Sequence, residues 1–213
     1  MREKEREKIN QNNDQVLFVT FYVSRNKDNK NVVDFKERRK MFVTQSNPVS
    51  SEFTNFVKDG LDGEFSRAYI SINGRSSNKT RKGLIHWLID NEDASLVKIQ
   101  NKICSIAMKK ENAITNRWLF DFDSCDVAKL YDFCNELEKM GFGKWDSIFE
   151  VPHEYVLKDW YVVHNTPHGY AIVTSRGFDT REILKDRPYV TLKKDGMLCV
   201  DWDRKNVKRW NVG

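Results

Sequence analysis

Two kinds of hydrophobic pattern alternate along the chain: crowded runs of β-branched and aromatic residues, and stretches whose apolar residues recur every three or four positions. "VLFVTFYV" at 16–23 is of the first kind, and it predicts a strand that the polar "SRNKDNKN" ends. A short helix is expected over Glu52–Val57, and "RAYISING" predicts a second strand stopping at Asn73 and Gly74. From Lys79 to Lys110 the spacing turns helical, with Leu84, Trp87 and Leu88, then Leu96, Ile99, Ile103 and Ile106 as core positions. "DNEDAS" between them supplies a stop and an N-cap, so two helices are expected. "RWLFDFD" reads as the next strand. Val127, Leu130, Cys134 and Leu137 then mark one face of a helix that "GFG" at 141–143 ends.

The last third is rich in strand signals. "DWYVVHNTPHGYAIVTSRGF" holds two runs around Thr166-Pro167-His168-Gly169, where proline pre-sets the first turn dihedral and glycine tolerates the last. "YVTLKKDGMLCVDW" repeats the arrangement around Asp195-Gly196, a strong hairpin dipeptide. Together these elements predict a single mixed α+β domain with a largely antiparallel sheet and helices packed mainly on one side. The charged opening "MREKEREKINQNND" is expected to be a flexible tail over 1–14, with the domain occupying 15–213.

Composition narrows the class without choosing a function. With 213 residues, 39% of them hydrophobic, the chain can bury a sizeable core. The excess of 36 Lys and Arg over 31 Asp and Glu favours anionic partners but is far from a histone-like tail. Cys104, Cys125, Cys134 and Cys199 form no C-x-x-C pair, and neither a secretory signal nor a membrane-length apolar run is found, so a soluble, cytoplasmic protein with reduced thiols is expected. Cys125 and Cys134 read as packing thiols, and His86 and His153 stand isolated. The basic "RKNVKRWNVG" at the end adds one aromatic residue to a positive segment.

The chemistry concentrates on "RWLFDFD". Strand alternation puts Trp118, Phe120 and Phe122 on one face and Leu119, Asp121 and Asp123 on the other. Two carboxylates about 7 Å apart on one strand face suit hard divalent ions such as Mg²⁺ or Mn²⁺. They can equally border solvent, with Asp123 or Ser124 capping the next helix. A third carboxylate, Asp201, ends the apolar run "MLCVD", and three acids converging from two strands would be nuclease- or polymerase-like.

The order hydrophobic-Asp-hydrophobic-Asp in "RWLFDFD", then "NTPHGYAIVTSRGFD", then "CVDW", resembles the archaeo-eukaryotic primase superfamily in its small phage-type forms. The motifs span 117–203. "TPHGYAIVTSRGF" is also similar to a T-x-N-G-Y-H-I-I-T-x-x-F pattern of small phage proteins, except that Ala171 stands at the histidine position. The resemblance implies a primase-polymerase-like core, a nucleoside triphosphate and single-stranded nucleic acid as partners, and two Mg²⁺ or Mn²⁺ ions on Asp121, Asp123 and Asp201. Hairpin pairing would set His164 beside Ala171, which makes His164 a substitute catalytic histidine.

A basic loop, "RAYISINGRSSNKTRKG", precedes a predicted helix N-terminus, the usual setting for phosphate. Arg67, Arg75, Lys79, Arg81 and Lys82 there offer phosphate contacts, and Arg176 and Arg181 later in the chain could join them; Arg75, Lys79 and Arg81 with His168 and Arg176 form the expected phosphate-binding set. Trp160, Tyr161, Tyr170 and Phe178 are the aromatic residues available for base stacking. Two readings stay open: a metal-dependent nucleotidyltransferase, or a catalytically inactive relative that binds nucleotide, nucleic acid or a host protein. A phosphatase using "DFDS" as nucleophile fits poorly, because the pair lies beyond the chain midpoint.

Overall fold

The computed structural model describes residues 14–45, 51–146, 148 and 159–207. Residues 1–13 of the tail predicted over 1–14, His153 and the last six residues of the basic C-terminal stretch lie outside them. The chain is α+β with antiparallel-dominated sheets, as the hydrophobic pattern implies. Its strands divide between two five-stranded sheets instead of forming one.

The first sheet has the order β10-β3-β1-β2, formed by Met197–Arg204, Phe65–Ser71, Val16–Ser24 and Arg38–Thr44, with β4 (Arg75–Ser76) pairing β1. The second has the order β6-β7-β8-β5-β9, from Gly143–Trp145, Trp160–Thr166, Gly169–Thr174, Trp118–Phe122 and Val190–Lys193. Only β6 and β7 run parallel among these described pairs.

Helices cover the sheets where apolar side chains emerge. Helix α1 (Ser51–Lys58) buries Phe53, Phe56 and Val57 against Tyr22 and Ala68. Helix α2 (Ser77–Asp90) leans on α3 (Ile99–Ala107), whose Cys104 and Ala107 pack on Val19. Helix α4 (Val127–Lys139) presents Leu130, Phe133, Cys134 and Leu137 to Phe120 and Phe122 of β5, and the short α5 (Arg181–Leu184) adds Ile183. The Phe122 and Phe133 rings meet edge to face at 4.9 Å, a preferred aromatic geometry.

Asp195-Gly196 makes the expected reversal but not a hairpin. Strand β9 pairs with β5, whereas β10 pairs with β3, so this turn carries the chain from one sheet to the other. Asp195 is anchored on the first sheet: both guanidinium nitrogens of the fully buried Arg75 donate to its carboxylate, at 2.6 and 3.0 Å, and Asn73 Nδ2 donates at 3.1 Å. The turn dipeptide signals a change of direction and says nothing about which strand receives each arm.

Candidate functional site

The alternation in "RWLFDFD" is realised. Phe120 and Phe122 enter the α4 core, while Leu119 packs on Ile70, Val162 and Val173 between the sheets. Asp121 and Asp123 continue the Leu119 face and open into a cleft of about 520 Å³ between the two sheets. Ala171 and the hairpin tip Thr166–His168 wall it on one side; Phe21, Tyr69, Met197 and Cys199 wall it on the other.

Capping does not account for Asp123. The N-cap of α4 is Asp126, whose carboxylate accepts from the amides of Ala128 and Lys129, and Ser124 Oγ accepts from Asp126 N–H. Asp123 is exposed, and its carboxylate has no partner among the described residues. Asp121 is held by Lys193, whose Nζ donates to Oδ2 at 2.5 Å.

Opposite the acids stand cations. Arg25, Lys27 and Arg67 line the cleft from the first sheet and the turn after β1, while Lys193 lies beside Asp121 on the second sheet, so the lining sets four cations against two carboxylates. Arg67 is almost buried: it pairs with Asp28 at 2.6 Å, and its NH2 lies 2.9 Å from His168 Nε2. A guanidinium only donates, so this contact requires the neutral imidazole with its Nε2 lone pair turned to Arg67. The hydrogen bond ties the hairpin tip of the second sheet to β3 of the first. Phe21 and Tyr69, neighbours on paired strands with ring centroids 6.3 Å apart, offer apolar faces beside these charges, and Arg25 lies over Tyr69 at 5.5 Å.

The structure brings only part of the expected set together. Asp121, Asp123 and His168 line the cleft; Asp201 does not. Regular pairing would set Asp201 opposite Arg67, on the row of Met197 and Cys199. A bulge between Cys199 and Asp201 shifts the register by one, so Asp201 pairs with Ala68 and Trp202 takes the place opposite Arg67. Among the described residues no three His, Cys, Asp or Glu side chains form a group able to hold a metal ion. Asp121 and Asp123 alone provide oxygen ligands suited to one hard cation, and Lys193 occupies Asp121. Burial pushes the Cys199 thiol up to about 12; the Arg67 charge works against the rise, and Asp201 and Asp121 add to it.

His164 pairs with Ala171, as the hairpin register predicts, and Ala171 pairs with Asp121, so histidine, alanine and aspartate stand in one row on one face. His164 Nε2 is buried without a partner, and burial lowers its pKa. Two strand spacings, about 10 Å, separate it from Asp121.

The expected basic loop lies elsewhere. Arg75 is committed to Asp195; Lys79 Nζ donates to the Glu111 carbonyl; Arg81 is exposed on α2; and Arg176 forms a bidentate pair with Asp159. The α2 N-terminus, proposed for phosphate, is filled by a carboxylate: Asp14 accepts from Asn78 N–H at 2.9 Å and from Ser76 Oγ at 2.6 Å, and Ser76 Oγ accepts from Lys79 N–H. Asp14 is thus an ordered cap and not the end of a tail. Trp160 and Tyr161 are core residues, and Tyr170 and Phe178 pack on the α4 side of the second sheet. Of the basic stretch only Arg67, a single charge inside the apolar "RAYIS" strand, lines the cleft. Arg25, Lys27, Phe21 and Tyr69 are cleft residues that the sequence reading does not single out.

Among the described residues no helix is long and apolar enough to cross a membrane. The chain matches no family model, and no curated protein or solved structure matches it either.

Proposed function

We propose that the cleft binds the phosphates of a nucleoside triphosphate or of a single nucleic-acid strand, as a phage-type nucleotide-binding protein with a primase-polymerase-like site. The observation that carries this is the facing of Asp121 and Asp123 by Arg25, Lys27 and Arg67 across one cleft with aromatic walls. Arg25 and Lys27 follow the end of β1 and take the phosphates; Arg67, oriented by Asp28 and His168, supplies a fixed positive charge. Phe21 and Tyr69 offer faces for a base. Mg²⁺ or Mn²⁺ at Asp121 and Asp123 would neutralise phosphate charge and favour nucleotidyl transfer by in-line attack on an α-phosphate. This reading places the protein in the cytoplasm, that of the host if it is phage-encoded.

A second reading, a site that binds ligand or a host protein without turnover, is favoured by one cluster of facts. Lys193 sits on Asp121, Asp201 is turned onto the Ala68 row, and Ala171 stands between His164 and Asp121. Titration of a fluorescent triphosphate analogue tests the shared claim. Arg25→Ala/Lys27→Ala should weaken binding by at least about tenfold, and with a single-stranded oligonucleotide as the probe it should also flatten the salt dependence, since each lost phosphate contact removes about 0.7 from the logarithmic slope. Unchanged affinity and slope would reject the cleft as the phosphate site. Metal-dependent incorporation abolished by Asp121→Ala separates transfer from binding alone.

A further inference from the structure

Helix α2 carries an apolar and charged face that stays exposed among the described residues. Its inward side is formed by the buried Thr80, by Gly83, where a Cβ would stand 2.8 Å from Ile106, and by Trp87, whose ring is 4.8 Å from Lys102 Nζ. At 100° per residue the opposite side presents Arg81, Lys82, Ile85 and Ile89. Ile85 is 50% exposed and Ile89 64% exposed, large values for isoleucine on one stripe.

The charges along α2 and in the turn after it run against the helix dipole. Lys79, Arg81 and Lys82 crowd the N-terminal half, while Asp90, Glu92 and Asp93 follow at the C-terminal end; the first turn holds no acid and the last no base. Each sign sits at the end where the dipole disfavours it. Arg81, Lys82, Glu92 and Asp93 form no ion pair among the described residues. Such a distribution does nothing for α2 alone, and it is self-complementary under a two-fold axis.

We infer that α2 is a self-association surface, pairing antiparallel with α2 of a second copy of this chain. Crossing near Trp87 sets Ile85 against the partner's Ile89 and lays the Arg81–Lys82 end of one helix beside the acidic end of the partner, where Glu92 and Asp93 stand in the turn that follows the helix. By symmetry each contact occurs twice, which is the isologous arrangement of a closed dimer. A 14-residue helix presents less than the about 800 Å² per partner of a standard interface, so a dimer that dissociates in the micromolar range is expected. The inference does not rest on the cleft, whose lining includes no residue of α2.

Sedimentation equilibrium of the full chain across a concentration series tests it. Wild type should pass from monomer to dimer, and Ile85→Asp should weaken association by at least about tenfold while the circular dichroism stays native. Arg81→Glu/Lys82→Glu and Glu92→Lys/Asp93→Lys should each self-associate weakly, because like charges then meet. Mixed together, the two should form a heterodimer, since each altered end then faces its opposite. A wild type that stays monomeric to high micromolar concentration overturns the inference and leaves the face to another partner. Charge variants that dimerise as well as wild type, or that fail to combine when mixed, also overturn it.

Discussion

Asp195→Asn should destabilise the protein by about 2–3 kcal/mol, although Asp195 lies in a turn and touches no ligand-facing residue. Its carboxylate is the only acid on Arg75 among the described residues, and the Arg75 side chain is wholly buried while that of Asp195 is 27% exposed. Breaking a buried pair by removing one partner leaves an uncompensated charge and costs about 3–5 kcal/mol. Two features lower the figure here: Asp195 is partly solvated, and asparagine keeps one oxygen for Asn73 and one guanidinium nitrogen. With an unfolding entropy of about 2.1 cal/mol/K per residue, a chain of 213 residues loses about 5–7 °C in Tm for that change. Arg75→Met should cost less, about 1 kcal/mol, because it removes the buried charge together with an Nε that has no hydrogen-bond partner. Urea denaturation and calorimetry on both variants read the asymmetry. If Arg75→Met proves the worse of the two, or Asp195→Asn costs under about 0.5 kcal/mol, the pair does not join the sheets as argued.

Lys193→Met should raise Mn²⁺ affinity in the absence of nucleotide by about tenfold, since it frees the half-exposed Asp121 from a competing cation; calorimetry showing no change would mean that Asp121 does not hold metal. His164 makes stability pH-dependent: its pKa is lowered in the fold, so below about 6.5 the unfolded chain takes up a proton that the native imidazole refuses. Its contribution is present above that pH and is lost as pH falls, so unfolding free energy should decline from pH 7 towards pH 5, and His164→Met should flatten that decline in denaturant titrations. Gly169→Ala should cost at least about 2 kcal/mol, because a Cβ there would lie 2.2 Å from the Phe122 carbonyl oxygen at a φ of +156°, and the backbone carrying Asp123 would have to move; a near-native Tm would refute this.

Much of the fold is legible because its signals are local. The 3.6 period over 127–137, the alternation in "RWLFDFD" and the turn at Pro167-His168 each name an element, and the hairpin register even sets His164 beside Ala171. What escapes the sequence is set by distant contacts. Strand β2, "RRKMFVT", hides behind its charges, and becomes a strand because β1 offers it a ladder. Arg75 looks like a phosphate ligand until Asp195, far along the chain, takes it. The bulge after Cys199 leaves no mark in "MLCVDW", yet it decides that Asp201 pairs with Ala68. The cationic wall is assembled from β1, its following turn and β3, and no short motif spans those segments.

The most direct test of the central claim is calorimetry of Mn²⁺ uptake with and without a non-hydrolysable nucleoside triphosphate, on wild type and on Asp121→Ala/Asp123→Ala. The account expects uptake that nucleotide strengthens and that the double variant abolishes. Absence of Mn²⁺ uptake by wild type with nucleotide present, or uptake unchanged in the double variant, would contradict it.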